Sequence, residues 1–110
     1  MPTNYKVLGQ VAPSATTDTT LYTVPSTTET VISTVVVANR SATAATYRVA
    51  IRPNGATIAN QHYIAFDVSV SGNDSTTLTL GLTMDAADVV TVRSSTADLS
   101  FSAFGSEITP

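Results

Sequence analysis

A chain of 110 residues with 43% hydrophobic and 12% charged side chains has room for one domain and a modest core. It has one histidine and no cysteine or tryptophan, which excludes disulfides, thiolate catalysis and cysteine-ligated zinc. Net charge is −3, and the five fixed cations (Lys6, Arg40, Arg48, Arg52 and Arg93) are outnumbered by carboxylates, so neither nucleic acid nor an anionic membrane is expected as a partner.

No apolar run approaches the roughly 18 residues that a membrane helix needs. The opening Met1-Pro2-Thr3-Asn4-Tyr5-Lys6 lacks the basic-then-apolar order of a secretory signal, so export by that route is not expected. Residues 1–20 are read as an extended N-terminal arm or edge strand: Tyr5-Lys6-Val7-Leu8-Gly9 has strand character, and residues 12–18 form a loop. Residues 21–110 are read as a β-sandwich domain. Its first strand, Leu21-Tyr22-Thr23-Val24, closes at Pro25, which cannot donate to a ladder.

Threonine is the commonest residue, and much of the chain alternates it with Val, Ile or Leu, the period of half-buried strands. Residues 30–38 are apolar on both faces, which predicts a central, doubly covered strand. A turn over 39–43 leads into residues 46–52, where Tyr47, Val49 and Ile51 share one face and Arg48 and Arg52 the other. Pro53-Asn54-Gly55 supplies turn chemistry, and residues 56–61 have the length of one helical turn. Residues 61–68 read as a mixed strand without a clean apolar face. Residues 77–83 alternate three inward leucines with outward threonines, and residues 89–93 and 99–105 complete the set. Seven to eight strands without a 3.6-residue period predict an all-β chain, a single antiparallel β-sandwich of jelly-roll or immunoglobulin-like type.

The chemistry-bearing residues are sparse. His62 is the only base available to a Ser-His-Asp arrangement, and no Gly-x-Ser-x-Gly elbow accompanies it. Asp85 with Asp88, and Asn73 with Asp74, carry oxygen ligands for calcium but lack EF-hand spacing; Asp and Asn at strand entrances more often cap turns. Glu29 and Glu107 are too scattered for a glycosidase pair. Asn39-Arg40-Ser41 and Asn73-Asp74-Ser75 match the glycosylation pattern only by chance. No metal or cofactor is expected. Arg48 and Arg52 are either a solvated face or a patch for a partner's carboxylates. The tyrosines, at 5, 22, 47 and 63, run mostly in phase with core residues, which favours packing over a sugar platform. Outward hydroxyls in place of Lys and Glu protect strand edges poorly, which suits a protein covered by copies of itself or by other subunits.

The segment Leu21-Tyr22-Thr23-Val24-Pro25, then Thr30-Val31-Ile32-Ser33-Thr34-Val35-Val36-Val37-Ala38-Asn39-Arg40, resembles small virion structural proteins of tailed bacteriophages. Leu82-Thr83-Met84-Asp85-Ala86-Ala87-Asp88-Val89-Val90-Thr91-Val92 is similar to the second half of that pattern, which often has glycine where this chain has Ala87. The closing Leu99-Ser100-Phe101-Ser102-Ala103-Phe104-Gly105-Ser106-Glu107-Ile108 and the opening Asn4-Tyr5-Lys6-Val7-Leu8-Gly9 extend the resemblance over nearly the whole chain. It implies a non-enzymatic capsid-decoration or tail-accessory protein of the virion, made in the host cytoplasm. It transfers no catalytic residue.

The expected partners are copies of the chain, as a homotrimer, and other virion proteins. Tyr5, Lys6, Val7 and Leu8 of the arm, with Arg48 and Arg52, are the candidate subunit interface. The arm, or the C-terminal Ser106-Glu107-Ile108-Thr109-Pro110, is expected to add a strand to a neighbour's edge. The alternative is a receptor- or glycan-binding module of a tail fibre, and a hydrolase built on His62 stands last.

Overall fold

The computed structural model describes residues 2–110, so Met1 of the expected arm lies outside it. Eight strands are present: β1 (Thr3–Val11), β2 (Thr19–Thr23), β3 (Glu29–Asn39), β4 (Ala45–Arg52), β5 (Tyr63–Val70), β6 (Ser75–Met84), β7 (Val89–Ser94) and β8 (Leu99–Ile108). They form two four-stranded antiparallel sheets, ordered β1-β8-β3-β6 and β2-β7-β4-β5.

The pairings nest. β4 pairs with β5, β3 with β6, β2 with β7 and β1 with β8, and successive pairs fall alternately in the two sheets. The chain is therefore one long antiparallel ribbon rolled over itself, closed by the β3–β8 and β4–β7 ladders. That is the jelly-roll member of the two expected sandwiches.

Period-2 alternation sends one side of each strand into the core. Ile32, Val35 and Val37 of β3 meet Tyr47 and Val49 of β4, Val90 and Val92 of β7, and Leu99 and Phe101 of β8, all essentially without solvent contact. Each such side chain contributes about 1.5–3 kcal/mol on leaving water. Phe101 meets the Tyr47 ring edge-on, with centroids 6.2 Å apart.

Three sequence expectations need correction. β3 is central in its sheet, but its outward Val31 and Val36 are only half-buried, with no strand of the described residues across them. The two-sided apolarity reflects an uncovered face, not a doubly covered strand. His62 lies in a 3₁₀ turn, Asn60–His62, and not on a strand; the Ala59 amide donates to its Nδ1 at 3.0 Å and fixes it there. The tyrosines split evenly: Tyr22 and Tyr47 are core residues, Tyr5 is 85% exposed and Tyr63 lies between.

Turn carboxylates are committed to backbone. Asp88 accepts the amides of Asn54 and Asp85 at 2.8 and 2.9 Å, Asp85 that of Ala86, and Asp74 that of Ser75. Among the described residues no three His, Cys, Asp or Glu side chains gather as a metal site would require.

Candidate functional site

The sandwich has two outer faces of opposite character. Residues directly opposite one another in a ladder share a face, so registers and burial assign each side chain. On the β2-β7-β4-β5 sheet, Arg48 stands directly opposite Arg93. Two like charges so placed repel, and each is answered by an acid beyond it. Arg48 donates to Asp67 through Nε at 2.7 Å and Nη2 at 3.4 Å, and Arg93 donates to Asp18 at 3.4 Å. The result is a row across the sheet: Asp18, Arg93, Arg48, Asp67. The Arg48 guanidinium holds the Asp67 carboxyl below its ordinary value and is itself raised by it.

Asp67 takes φ +52° where the β4–β5 register slips, between Tyr47 and Val49. That bulge delivers Phe66 to the same guanidinium, 4.1 Å from ring centroid to Cζ, and Tyr63 packs edge-on against Phe66 at 4.9 Å. Phe66 remains 54% exposed. The bulge is also why residues 61–68 show no clean alternation in sequence.

The rest of this face is covered by the chain itself. Arg52 donates to the carbonyls of Ala56 and Gly55 at 2.7 and 3.1 Å and to the Thr91 hydroxyl at 3.2 Å. It thereby staples residues 53–62 over Ala50 and Thr91, both buried although they point outward. Arg48 and Arg52 do share a face, but both guanidiniums are engaged within the chain.

The β1-β8-β3-β6 sheet is the opposite case. Its outer side presents Tyr5 and Val7 from β1, Ser102, Phe104 and Ser106 from β8, Val31, Thr34 and Val36 from β3, and Thr77, Thr79 and Thr83 from β6. Among the described residues the only charged side chain on it is Glu29, at the end of β3. Tyr5 and Val7, 85% and 48% exposed, stand on this face beside Phe104. Leu8 turns the other way and packs against the core.

Lys6, the remaining arm residue of the expected interface, lies on the opposite side of the edge strand from Tyr5 and Val7 and stays about half-exposed. Its Nζ reaches Glu107 Oε1 at 3.0 Å. The Tyr22 hydroxyl, from the opposite sheet, donates to Glu107 Oε2 at 2.5 Å and, having spent its proton, accepts from Thr30 at 2.8 Å. The Tyr22 hydrogen bond, then Lys6, hold the Glu107 carboxyl below its ordinary value, against the effect of burial. Burial and the carboxylate push Tyr22 up to about 12. Lys6 and Glu107 are 101 residues apart, and nothing local in the sequence joins them.

Residues 3–11 of the expected arm are thus the edge strand β1, laddered to β8 of the same chain from Thr3↔Ile108 to Val11↔Phe101. Sequence reasoning missed Phe66, Asp67, Tyr22 and Glu107. The pair at 66–67 was detectable only as a break in alternation.

No protein-family model matches the chain, and no curated protein matches it. Among solved structures it is similar to a chain in the structure of the Gx strain of infectious bursal disease virus, with a TM-score of 0.48 and 11% identity, over 96% of this chain and 31% of that one. The chain thus spans less than a third of that neighbour's length.

Proposed function

We propose that the chain is a non-enzymatic structural protein of a bacteriophage particle, which binds other virion subunits on the capsid or tail surface as a homo-oligomer, a trimer. The observation that carries this reading is the outer face of the β1-β8-β3-β6 sheet. A free monomer is protected from its neighbours by charge on faces and edges, and this face holds exposed Tyr5 and Val7 beside half-buried Phe104, Val31 and Val36 with one acid at its margin. Such a face suits contact with another subunit. The resemblance to virion proteins of tailed phages supplies the kind of neighbour. Surface burial at about 25 cal/mol per Å², multiplied over many copies, stabilises a shell or tail without chemistry.

The test is the particle. Density-purified particles of the phage encoding this chain are expected to contain it at a fixed ratio to the major structural proteins by quantitative mass spectrometry. A chain abundant in the infected lysate but absent from the particles overturns the reading.

The exposed Phe66 and its partner Tyr63 favour one alternative, a glycan-binding module of a tail fibre. Arg48 lies over the Phe66 ring and Tyr63 meets it in a T-shaped contact, an exposed aromatic pair of the kind on which a sugar stacks. Binding on a glycan array that Phe66→Ala abolishes would establish it.

A further inference from the structure

A jelly roll has four edge strands, and here three are blunted. β2 is five residues long and stops short of Pro25. β5 is broken by the Asp67 bulge. β1 carries Lys6, and its register with β8 slips between Val7 and Gly9. Short length, bulges and charge are the ordinary devices that stop an edge from pairing with another chain.

The fourth edge, β6, carries only one of them, a single slip in its register with β3. Ser75–Met84 is ten residues long and contains no charged residue and no proline. At that slip Leu80 and Gly81 together face Ser33, yet the alternation of exposure along β6 runs through it, with Leu78, Leu80 and Leu82 turned inward and half-buried. Its outer edge leaves backbone donors and acceptors without strand partners.

We propose that β6 pairs antiparallel with β6 of a second copy about a two-fold axis through Leu80, joining two four-stranded sheets into one of eight. The sequence of the strand is what selects a copy of itself as the occupant. With Leu80 on the axis, Leu78 falls opposite Leu82, Thr77 opposite Thr83 and Thr79 opposite Gly81. Leucines then meet leucines on the inner face, while on the outer one two hydroxyls meet and Thr79 faces the bare Gly81, so residues of one kind of face meet across the axis. An isologous contact places every charge opposite its own twin, and β6 has none to repel. The same operation on β5 would bring two copies of Asp67 together at the bulge.

The proposal rests on the self-association in the reading above and adds its symmetry: a two-fold contact gives even assemblies, so a trimer would occur as a pair of trimers. The full chain is measured by light scattering over a dilution series, alone and as the Thr79→Lys and Thr79→Glu variants. Thr79 is exposed, so either charge leaves the single-chain fold intact, checked by circular dichroism. It also lies diagonally across the axis from its own copy, within reach of long side chains. The native chain is expected at an even multiple of 11.4 kDa. Each variant alone is expected at half that mass, and an equimolar mixture of the two returns to the native value. A monomer or an isolated trimer overturns the pairing, as does an even assembly that persists in both variants. An isolated trimer found at fixed ratio in particles would leave the virion reading standing, so the two fail separately.

Discussion

The two sheets differ in strand length, 9 to 11 residues in β1-β8-β3-β6 against 5 to 8 in β2-β7-β4-β5, and they dispose of charge in opposite directions. On β2-β7-β4-β5 the ionic groups stand outward in a row, and Arg52 pins residues 53–62 over what the row leaves bare. On β1-β8-β3-β6 the ion pair of Lys6 with Glu107 lies on the inner side, with the carboxylate nearly buried and the lysine half-exposed at the edge. An outward pair is solvated and inexpensive to hold. An inward carboxylate is tolerated only when hydrogen bonds replace its lost water, and Tyr22 and Thr30 provide that chain of donors. The neutral face thus goes together with a polar network on the inner side of its sheet, and that neutrality is what the proposed subunit contact rests on.

The largest effect is expected where the neutral sheet is tightest. At Gly105 an added Cβ would lie 2.0 Å from the Val31 carbonyl oxygen, a backbone atom held in the β3–β8 ladder beside the Ser33 bulge. Gly105→Ala is expected to cost roughly 2–3 kcal/mol in urea unfolding, at the upper end of overpacking. An unchanged midpoint would mean that this sheet has slack the ladder does not suggest.

Next comes the network beneath that face. Tyr22→Phe removes the shortest hydrogen bond to Glu107 and is expected to cost about 1–3 kcal/mol. The pH dependence carries the more specific signature. Glu107 is held below its ordinary carboxylate value in the fold, so its contribution is present above the unfolded value, near 4.5, and is lost as pH falls through the folded one. Tyr22 is raised from 10.0 to about 12, so its contribution is present below pH 10.0 and is lost as pH rises toward 12. In Tyr22→Phe the alkaline loss from this residue should vanish and the acid loss should shallow. Urea midpoints across both windows test this, and unaltered limbs would detach the network from stability.

A gain is expected at Ala87, which takes φ +72° in the turn between β6 and β7. A left-handed non-glycine residue costs about 1–2 kcal/mol, and glycine returns part of that through the freer unfolded chain. Ala87→Gly should therefore stabilise by roughly 0.5–1 kcal/mol, read as a raised melting midpoint with no change in either outer face.

Much of the strand inventory was legible because burial alternates with the pleat. β6 shows it best: from Thr77 to Thr83 its leucines and threonines sort by parity alone. Strand order was not legible, since it depends on pairings such as Tyr5↔Ser106 and Thr30↔Glu107 between distant parts of the chain. The shared face of Arg48 and Arg52 followed from spacing, but their partners did not: one sits on a bulge, the others are loop carbonyls. In β3 the pattern correctly marked both faces as apolar, while among the described residues the outer one stays half-buried without the expected cover. A periodicity reports what a face prefers, not whether the same molecule supplies it.

The smallest effect separates the two faces most directly. Asp67→Asn keeps a side chain that tolerates the left-handed backbone and removes one end of the charged row, so that Arg48 faces Arg93 with no acid at its flank. The pair is solvent-exposed, so the loss of stability should be slight and should fade as salt screens the two guanidiniums. Raising ionic strength should therefore close the gap between Asp67→Asn and the native chain while leaving the gap for Tyr22→Phe unchanged, because the Glu107 network lies between the sheets. Equal salt sensitivity in the two variants would mean that water reaches both networks alike, and the inward placement of charge would no longer distinguish one sheet from the other.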